Sequence, residues 1–235
     1  MQSGSHYIAY PTTPALKSDV STLLDALNQR SKSSQADTAT RLIQGAAHEL
    51  VQTFFSSLLA DLRAAGSGNA HHQAEVMVRE IDEKLTHYLG WASAFFGNDR
   101  IKPVVEHYHA MMIQLQVGGE RVPHIAFPLD AGIVKRADAA LGPLQAGQAG
   151  SAHEGMEVMI QVIETALEAL LITPKRLMKF NFVVDKTLNG VLSLTQTLAY
   201  RSLRKVAEQM TPAEQPVLAA HLSRLLVSAS QVRAA

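Results

Sequence analysis

The sequence predicts an all-α protein, a single helical-bundle-like domain of seven or eight helices with a long C-terminal helical hairpin. Hydrophobic residues recur every three to four positions through most of the chain, which is the period of one buried helix face. Clusters of Gly and Pro interrupt this pattern at intervals that suit the helices of a bundle. With 47% hydrophobic and 18% charged residues, the 235-residue chain has enough apolar surface to bury one large core.

The same pattern predicts the domain organisation. We expect residues 1–17 to be extended or disordered, because two early prolines disfavour a helix there, and residues 1–6 look like an expression-vector remnant. Residues 18–235 then form one all-α domain. The segment 145–150 is an internal linker candidate that is rich in Gly but too short to separate independent domains.

Five helices are predicted in the first two thirds of the chain. The second of them shows the longest apolar stripe, from Leu42 to Leu62, and glycine-containing segments, including residues 66–69, end the second, third and fourth helices. The predicted helices are at about 18–30, 35–65, 70–96, 100–117 and 130–144.

Residues 111–127 allow two interpretations. Ile113, Leu115 and Val117 fit the end of the helix at 100–117, but they also alternate as in a strand. The Gly118-Gly119 pair that follows is typical of a β-hairpin turn. Because the helical match is longer, we favour a helix end followed by an irregular segment at 120–129, and a small β-hairpin stays as the alternative.

Three helix-start signals organise the last third of the chain. Ser151 with Glu154, and Thr211 with Glu214, match the capping box, in which side chains bond to the free amides of a helix start. Thr173-Pro174 supplies another start, and its position near the preceding helix predicts an antiparallel helical hairpin. The predicted helices are at about 152–172, 175–210 and 212–231.

The formal charge is distributed unevenly between the second helix of the predicted hairpin and the chain that precedes it. Residues 1–172 carry a formal net charge of −6, whereas residues 173–206 carry +6 and contain a single acidic residue, Asp185. Opposite charges on two parts of one chain can decide how those parts pack. We expect the acidic strip of the first hairpin helix to form surface ion pairs with the basic strip of the second. The residues concerned are Glu164 and Glu168 on one helix, and Lys175 and Lys179 on the other.

A functional interpretation of the basic segment is that it binds an acidic partner protein. The candidates for partner binding are Arg201, Arg204, Lys205, Lys175 and Lys179. The first three have no acidic strip opposite them in the predicted hairpin. Nucleic acid is disfavoured as the partner, because Tyr200 is the one aromatic residue near these three and the net charge of the chain is zero.

The middle of the long helix predicts self-association. No charged residue lies between Lys186 and Arg201, so this stretch must be covered on nearly all sides. A second copy of the chain would supply the missing cover through a two-fold contact. The central contact is assigned to Leu188, Val191, Leu192, Thr195 and Leu198.

The sequence disfavours a metal site. Glu106 and His109 give the Glu-x-x-His spacing that helical-bundle di-metal sites use, and His87 could join them. On a helical wheel, however, Glu106 points away from the apolar arc and His87 lies opposite the core face of its helix. Because bundle ligands must project inward, we expect these side chains to be solvated, and we predict no metal and no cofactor.

The sequence therefore predicts a non-enzymatic α-helical interaction or regulatory protein, homodimeric, cytoplasmic and with no membrane association. It contains no cysteine, no glycine-rich phosphate loop and no Gly-x-Ser-x-Gly or His-Glu-x-x-His motif. The alternatives are a helical-bundle metalloenzyme or a small apolar ligand-binding protein, because methionines pack adaptably around a cavity. The methionines concerned are Met77, Met111, Met112, Met156, Met159 and Met178.

Overall fold

The computed structural model describes residues 6–30, 32–67 and 71–233, and the chain is 76% helical. These ranges contain nine helices and a small four-stranded sheet. Helical segments that are joined through a π turn are counted here as one helix. The predicted predominantly all-α fold is confirmed. The predictions for residues 1–5 and for the end of the chain at 234–235 lie outside the described residues.

The helices and strands follow one another in this order. The first part contains β1 (His6–Pro11), α1 (Pro14–Asn28), α2 (Ala36–Val51), α3 (Ser57–Leu62), α4 (His72–Ala92) and α5 (Asn98–Met111). The second part contains β2 (Met112–Val117), β3 (Glu120–Leu129), α6 (Ala131–Gln145), α7 (Ser151–Leu167), α8 (Thr173–Leu177), α9 (Phe182–Gln209), α10 (Gln215–Leu225), β4 (Leu226–Ser228) and α11 (Ala229–Arg233).

The longest apolar stripe forms the centre of the core, as its periodicity predicts. Leu42, Leu50, Leu58 and Leu62 are all buried along α2 and α3. These helices are continuous through a π turn at Gln52–Ser56, which inserts one residue into the helical repeat. Part of the stop predicted at residues 66–69 lies outside the described residues.

The interpretation of residues 111–127 as a helix end and an irregular segment is wrong, and the β-hairpin is correct. Helix α5 ends at Met111, and β2 and β3 form an antiparallel hairpin. Gly118 and Gly119 have φ angles of 59° and 90°, which suit a two-residue hairpin turn. The sheet has the order β2-β3-β1-β4, so β3 pairs on its other side with β1 from the beginning of the chain.

The predicted turn of the C-terminal hairpin is also wrong. Helix α7 continues through a π turn at Glu168–Ile172 into α8, so that Thr173-Pro174 lies within a helix. The chain reverses at residues 178–181 instead, and the Asn181 side chain accepts a hydrogen bond from the Val184 amide at 3.0 Å. Pro174 has no N–H to donate to the preceding turn, but the carbonyls of Ala169 and Leu170 there are paired with His107 Nε2, at 2.7 Å, and with the Tyr108 hydroxyl.

The capping box predicted at Ser151 does not form. The Ser151 hydroxyl lies 2.9 Å from the Gln148 carbonyl and 2.6 Å from Gln215 Oε1, so its one proton is shared between these two acceptors. Glu154 forms an ion pair with Arg136 at 2.8 Å. The Ser151 side chain therefore joins the start of α7 to the start of α10.

The helix predicted at 212–231 is shorter than expected. Glu214 Oε2 accepts hydrogen bonds from the Thr211 amide at 2.6 Å and from its hydroxyl at 2.8 Å, which is the carboxylate half of a capping box. Helix α10 begins one residue later and ends at Leu225. The next three residues form β4, which pairs with β1.

Glu49 links the connection between β1 and α1 to the core helix α2. It is buried, its Oε2 accepts from the Thr12 hydroxyl, and its Oε1 accepts from the Thr13 amide, both at 2.8 Å. We expect Glu49→Ala to lower the free energy of unfolding by about 2 kcal/mol, since the Thr12 hydroxyl would be left buried without an acceptor. Urea denaturation at pH 7 measures this. Glu49→Gln keeps one acceptor oxygen and should lose less; equal losses would contradict the hydrogen-bond explanation.

Candidate functional site

Helices α4 and α9 form an outer layer of the molecule and pack antiparallel to each other. Ala92 at the end of α4 packs against Val184 and Leu188 near the start of α9. At the opposite end of the layer, Lys205 Nζ donates to Gln73 Oε1 in the first turn of α4 at 2.7 Å. The 28 residues of α9 make this layer about 42 Å long.

The residues predicted for self-association face mainly into the molecule. Leu188 and Thr195 are buried, and Val191, Leu192 and Leu198 are half-buried. The side of α9 that these residues occupy is covered by other elements of the same chain, α4 among them. The structure therefore does not present this set as an exposed contact.

Large exposed hydrophobic side chains are concentrated on the outer side of the same layer. Seven are exposed in the part of the chain that the structure describes, and one of them, Val117, lies in the hairpin strand β2. On α9, the exposed fractions are 77% for Phe182, 67% for Val183 and 55% for Leu194. We name the set on the layer the α4–α9 face. It consists of Val76, Trp91, Phe95, Phe182, Val183 and Leu194.

The end of the layer where α4 stops and α9 starts is rich in aromatic residues. Trp91 and Phe95 meet edge to face with ring centroids 5.6 Å apart, and Lys186 Nζ lies 5.7 Å above the Phe182 ring. Sequence reasoning missed this cluster, because the periodicity places Phe95 on the core side of its helix. The available signal was the presence of aromatic residues beside two helix ends.

The ion pairs of the hairpin differ from those predicted. Arg176 binds Glu168 at 2.8 Å, and Lys175 binds Asp185, so the expected pairing of Glu164 and Glu168 with Lys175 and Lys179 is wrong. The cause is the position of the turn, because the helix continues past Thr173 and carries these basic residues onto α8. Lys179 lies in the turn itself, exposed and with a φ of 48°.

Arg204 is paired with a carboxylate, in contrast to the prediction. Its Nε and Nη2 donate to Glu157 Oε1 and Oε2 at 2.6 and 3.1 Å. This bidentate hydrogen bonding from Arg204 lowers the pKa of Glu157. Arg201 is exposed and has no carboxylate partner within the described ranges, and Lys205 contacts the neutral Gln73. Two of the three cations therefore keep a charge that no carboxylate neutralises.

A groove of about 580 Å³ lies between the first turns of α4 and the last turns of α9. The α9 wall of the groove contains Arg201, Arg204 and Lys205. His71 lines the groove at the start of α4.

His71 Nε2 lies 3.3 Å from Glu214 Oε1, and both side chains are buried. Burial alone raises the pKa of Glu214, but hydrogen bonds from Thr211 and the nearby His71 outweigh it and lower this pKa overall.

The metal-ligand candidates point into solvent, as the helical wheel predicts for Glu106 and His87. Glu106, His109 and His87 are all exposed, and Glu106 lies 3.9 Å from Lys102. Within the described residues, no three His, Cys, Asp or Glu side chains come close enough together to hold a metal ion.

His221 is a buried titratable group that sequence reasoning did not identify. Arg224 Nη2 lies 3.2 Å from its Nδ1, and because a guanidinium only donates, Nδ1 must be the acceptor. Burial, helped by the Arg224 charge, lowers the pKa of His221 to about 4. Ser57, which lines the same surface groove as His221, donates its hydroxyl to the Thr53 carbonyl at 2.6 Å.

The chain has no match among protein-family models, curated proteins or solved structures. No helix in the described ranges is both long and apolar enough to cross a membrane.

The methionines do not surround one common cavity. Met156 and Met159 are fully buried in the main core, whereas Met77 lines the groove between α4 and α9. Met178 lines a wholly apolar cavity of about 30 Å³. A cavity of this size is an order of magnitude smaller than typical pockets for organic ligands.

Proposed function

We propose that the protein is a non-enzymatic α-helical interaction protein that self-associates through the α4–α9 face. The observation that carries this proposal is the distribution of exposed large hydrophobic side chains. Of the seven in the described part of the chain, five lie on α4 or α9, and a sixth, Phe95, lies in the 3-10 turn that directly follows α4. Single exposed apolar residues are normal on a protein surface, but their concentration on one face is typical of an interface.

The dimensions of the face suit a stable dimer. Helix α9 has 28 residues and α4 has 21, so they are about 42 and 31 Å long. With a diameter of about 10 Å for each helix, the layer covers about 700 Å². A standard protein interface buries about 800 Å² on each partner.

The α9 side of the face also suits an interface between two copies, whereas α4 presents exposed charged residues, among them Arg79, Glu83 and Lys84. The exposed side of α9 has no charged residue between Lys186 and Arg201, and interface centres are typically depleted of charge. Trp91, Phe95 and Phe182 are the kind of aromatic anchors that dominate binding energy. A two-fold axis would place this uncharged stretch against its own copy.

Multi-angle light scattering over a concentration series from 1 to 100 µM tests the proposal. We expect a molar mass that approaches twice that of one chain as the concentration rises, because a two-fold contact closes at two copies. A mass equal to one chain at 100 µM would contradict self-association.

A further inference from the structure

We propose that the groove between the start of α4 and the end of α9 binds a small amphiphilic anion, namely a phosphate or carboxylate group attached to an apolar body. This inference does not depend on self-association. The groove has a volume of about 580 Å³, which lies in the usual range of ligand sites, about 300–1,000 Å³.

The charge of the groove favours an anion. Arg201 and Lys205 lie on its wall, and no carboxylate in the described ranges forms an ion pair with either of them. Arg204 also lines the groove but is neutralised by Glu157, and Glu208 is the one acidic residue that lines it. The cations without a carboxylate partner therefore outnumber the acidic side chains that face the ligand.

The first turn of α4 adds a second source of positive potential. The amides at a helix start have no intrahelical acceptor, and the helix dipole makes this end attractive to anions. Among the residues that the structure describes, no side chain caps α4. A 21-residue helix thus places the positive end of its dipole at the end of the layer where Arg201 and Lys205 lie.

His71 is a buried polar group without a complete set of partners at the same place. The side chain is 4% exposed and lines the groove, and its Nδ1 has no hydrogen-bond partner. Glu214 accepts from Nε2, so Nδ1 accepts one further hydrogen bond in the neutral ring and donates one to an anionic oxygen in the imidazolium. Buried polar atoms are normally paired, so an orphaned nitrogen here is what a missing ligand would leave.

The rest of the lining determines the other half of the ligand. Four apolar side chains line the groove. Two of them are buried, Ala74 and Val206, and two are half-buried, Met77 and Leu198. A bare inorganic ion would leave this apolar surface in contact with water. An anion with a short alkyl or aryl body would cover the apolar surface and place its charge beside Arg201 and Lys205.

Isothermal titration calorimetry with hexyl phosphate, hexanoate, inorganic phosphate and hexyltrimethylammonium tests the site. We expect hexyl phosphate to bind in a saturable 1:1 manner, about tenfold more tightly than inorganic phosphate because of its chain. Comparison with hexanoate decides between a phosphate and a carboxylate head group. The ammonium compound should not bind. Equal affinity for the cationic compound would overturn the assignment to an anion, and equal affinity for inorganic phosphate would overturn the apolar half of the proposal.

The double variant R201Q/K205Q locates the binding site. Removal of the two cations should weaken hexyl phosphate binding about tenfold or more. The matched control K17Q/K135Q removes two exposed lysines from α1 and α6, so it changes the net charge equally and should bind like the unmodified protein. Unchanged binding in R201Q/K205Q, or an equal loss in K17Q/K135Q, would show that the anion binds elsewhere or through net charge alone.

Discussion

Replacing Val183 and Leu194 with glutamate should convert the proposed dimer into a monomer. Both side chains are more than half exposed on α9, so glutamate can be accommodated in the folded monomer. In a two-fold dimer each substitution occurs twice and would bury an unpaired carboxylate within the contact. Interface anchors contribute about 2 kcal/mol or more each, so we expect the dissociation constant to rise at least about 1,000-fold. Light scattering at 50 µM measures the change.

Val117→Glu is the matched control for this experiment. Val117 is also exposed, at 52%, but it lies in the β-hairpin and outside the α4–α9 face. The V117E protein should keep the dimer mass, and circular dichroism should show that all variants retain their helical content. A dimer mass for V183E/L194E, or a monomer mass for V117E, would show that the α4–α9 face is not the interface.

The free energy of unfolding should fall as the pH is lowered from about 6.5 to about 4. Burial lowers the pKa of His221 from 6.5 to about 4 in the folded protein. Between these values the unfolded state binds a proton and the folded state does not, so acid favours unfolding. Above pH 6.5 His221 is neutral in both states and contributes nothing, and below about 4 the loss is complete. The pKa difference corresponds to a total of about 3 kcal/mol.

Urea denaturation at pH 7.5 and pH 4.5 compares the unmodified protein with His221→Leu. The variant cannot take up this proton, so its difference between the two pH values should be smaller by about 2–3 kcal/mol. His109→Gln is the control, because His109 is exposed and forms no ion pair within the described ranges; an equal loss of pH dependence in this variant would show that the effect is not specific to His221. The lowered pKa values of Glu157 and Glu214 act mainly below their ordinary value of 4.5, where stability is lost as these carboxylates are protonated. A His221→Leu protein with undiminished pH dependence would contradict the assignment.

The candidate site could be predicted only in part. The sequence indicates that α9 is a long helix with an uncharged middle that needs cover, and the structure confirms the helix. It does not indicate which side of α9 faces inward, because apolar and small polar residues occur all around the middle of the helix. Contacts with α4 and the rest of the chain bury Leu188 and Thr195, and they leave Val183 and Leu194 outside. The groove at Arg201 depends on the same packing, since its other wall comes from α4, more than a hundred residues earlier.

The sequence by itself determined the helices whose apolar residues keep one period, such as α2–α3 and α4, and the solvent exposure of Glu106 and His87. These features depend on contacts along a single helix, so local spacing is sufficient to predict them. Only the tertiary structure decided that residues 112–129 form a hairpin, because β3 pairs with β1 from the beginning of the chain. The pKa of His221 likewise depends on burial and on Asp61 and Arg224, which come together from α3 and α10. The spacing of Ile113, Leu115 and Val117 fits a strand and a helix end alike, so only pairing with a segment distant in sequence selects the strand.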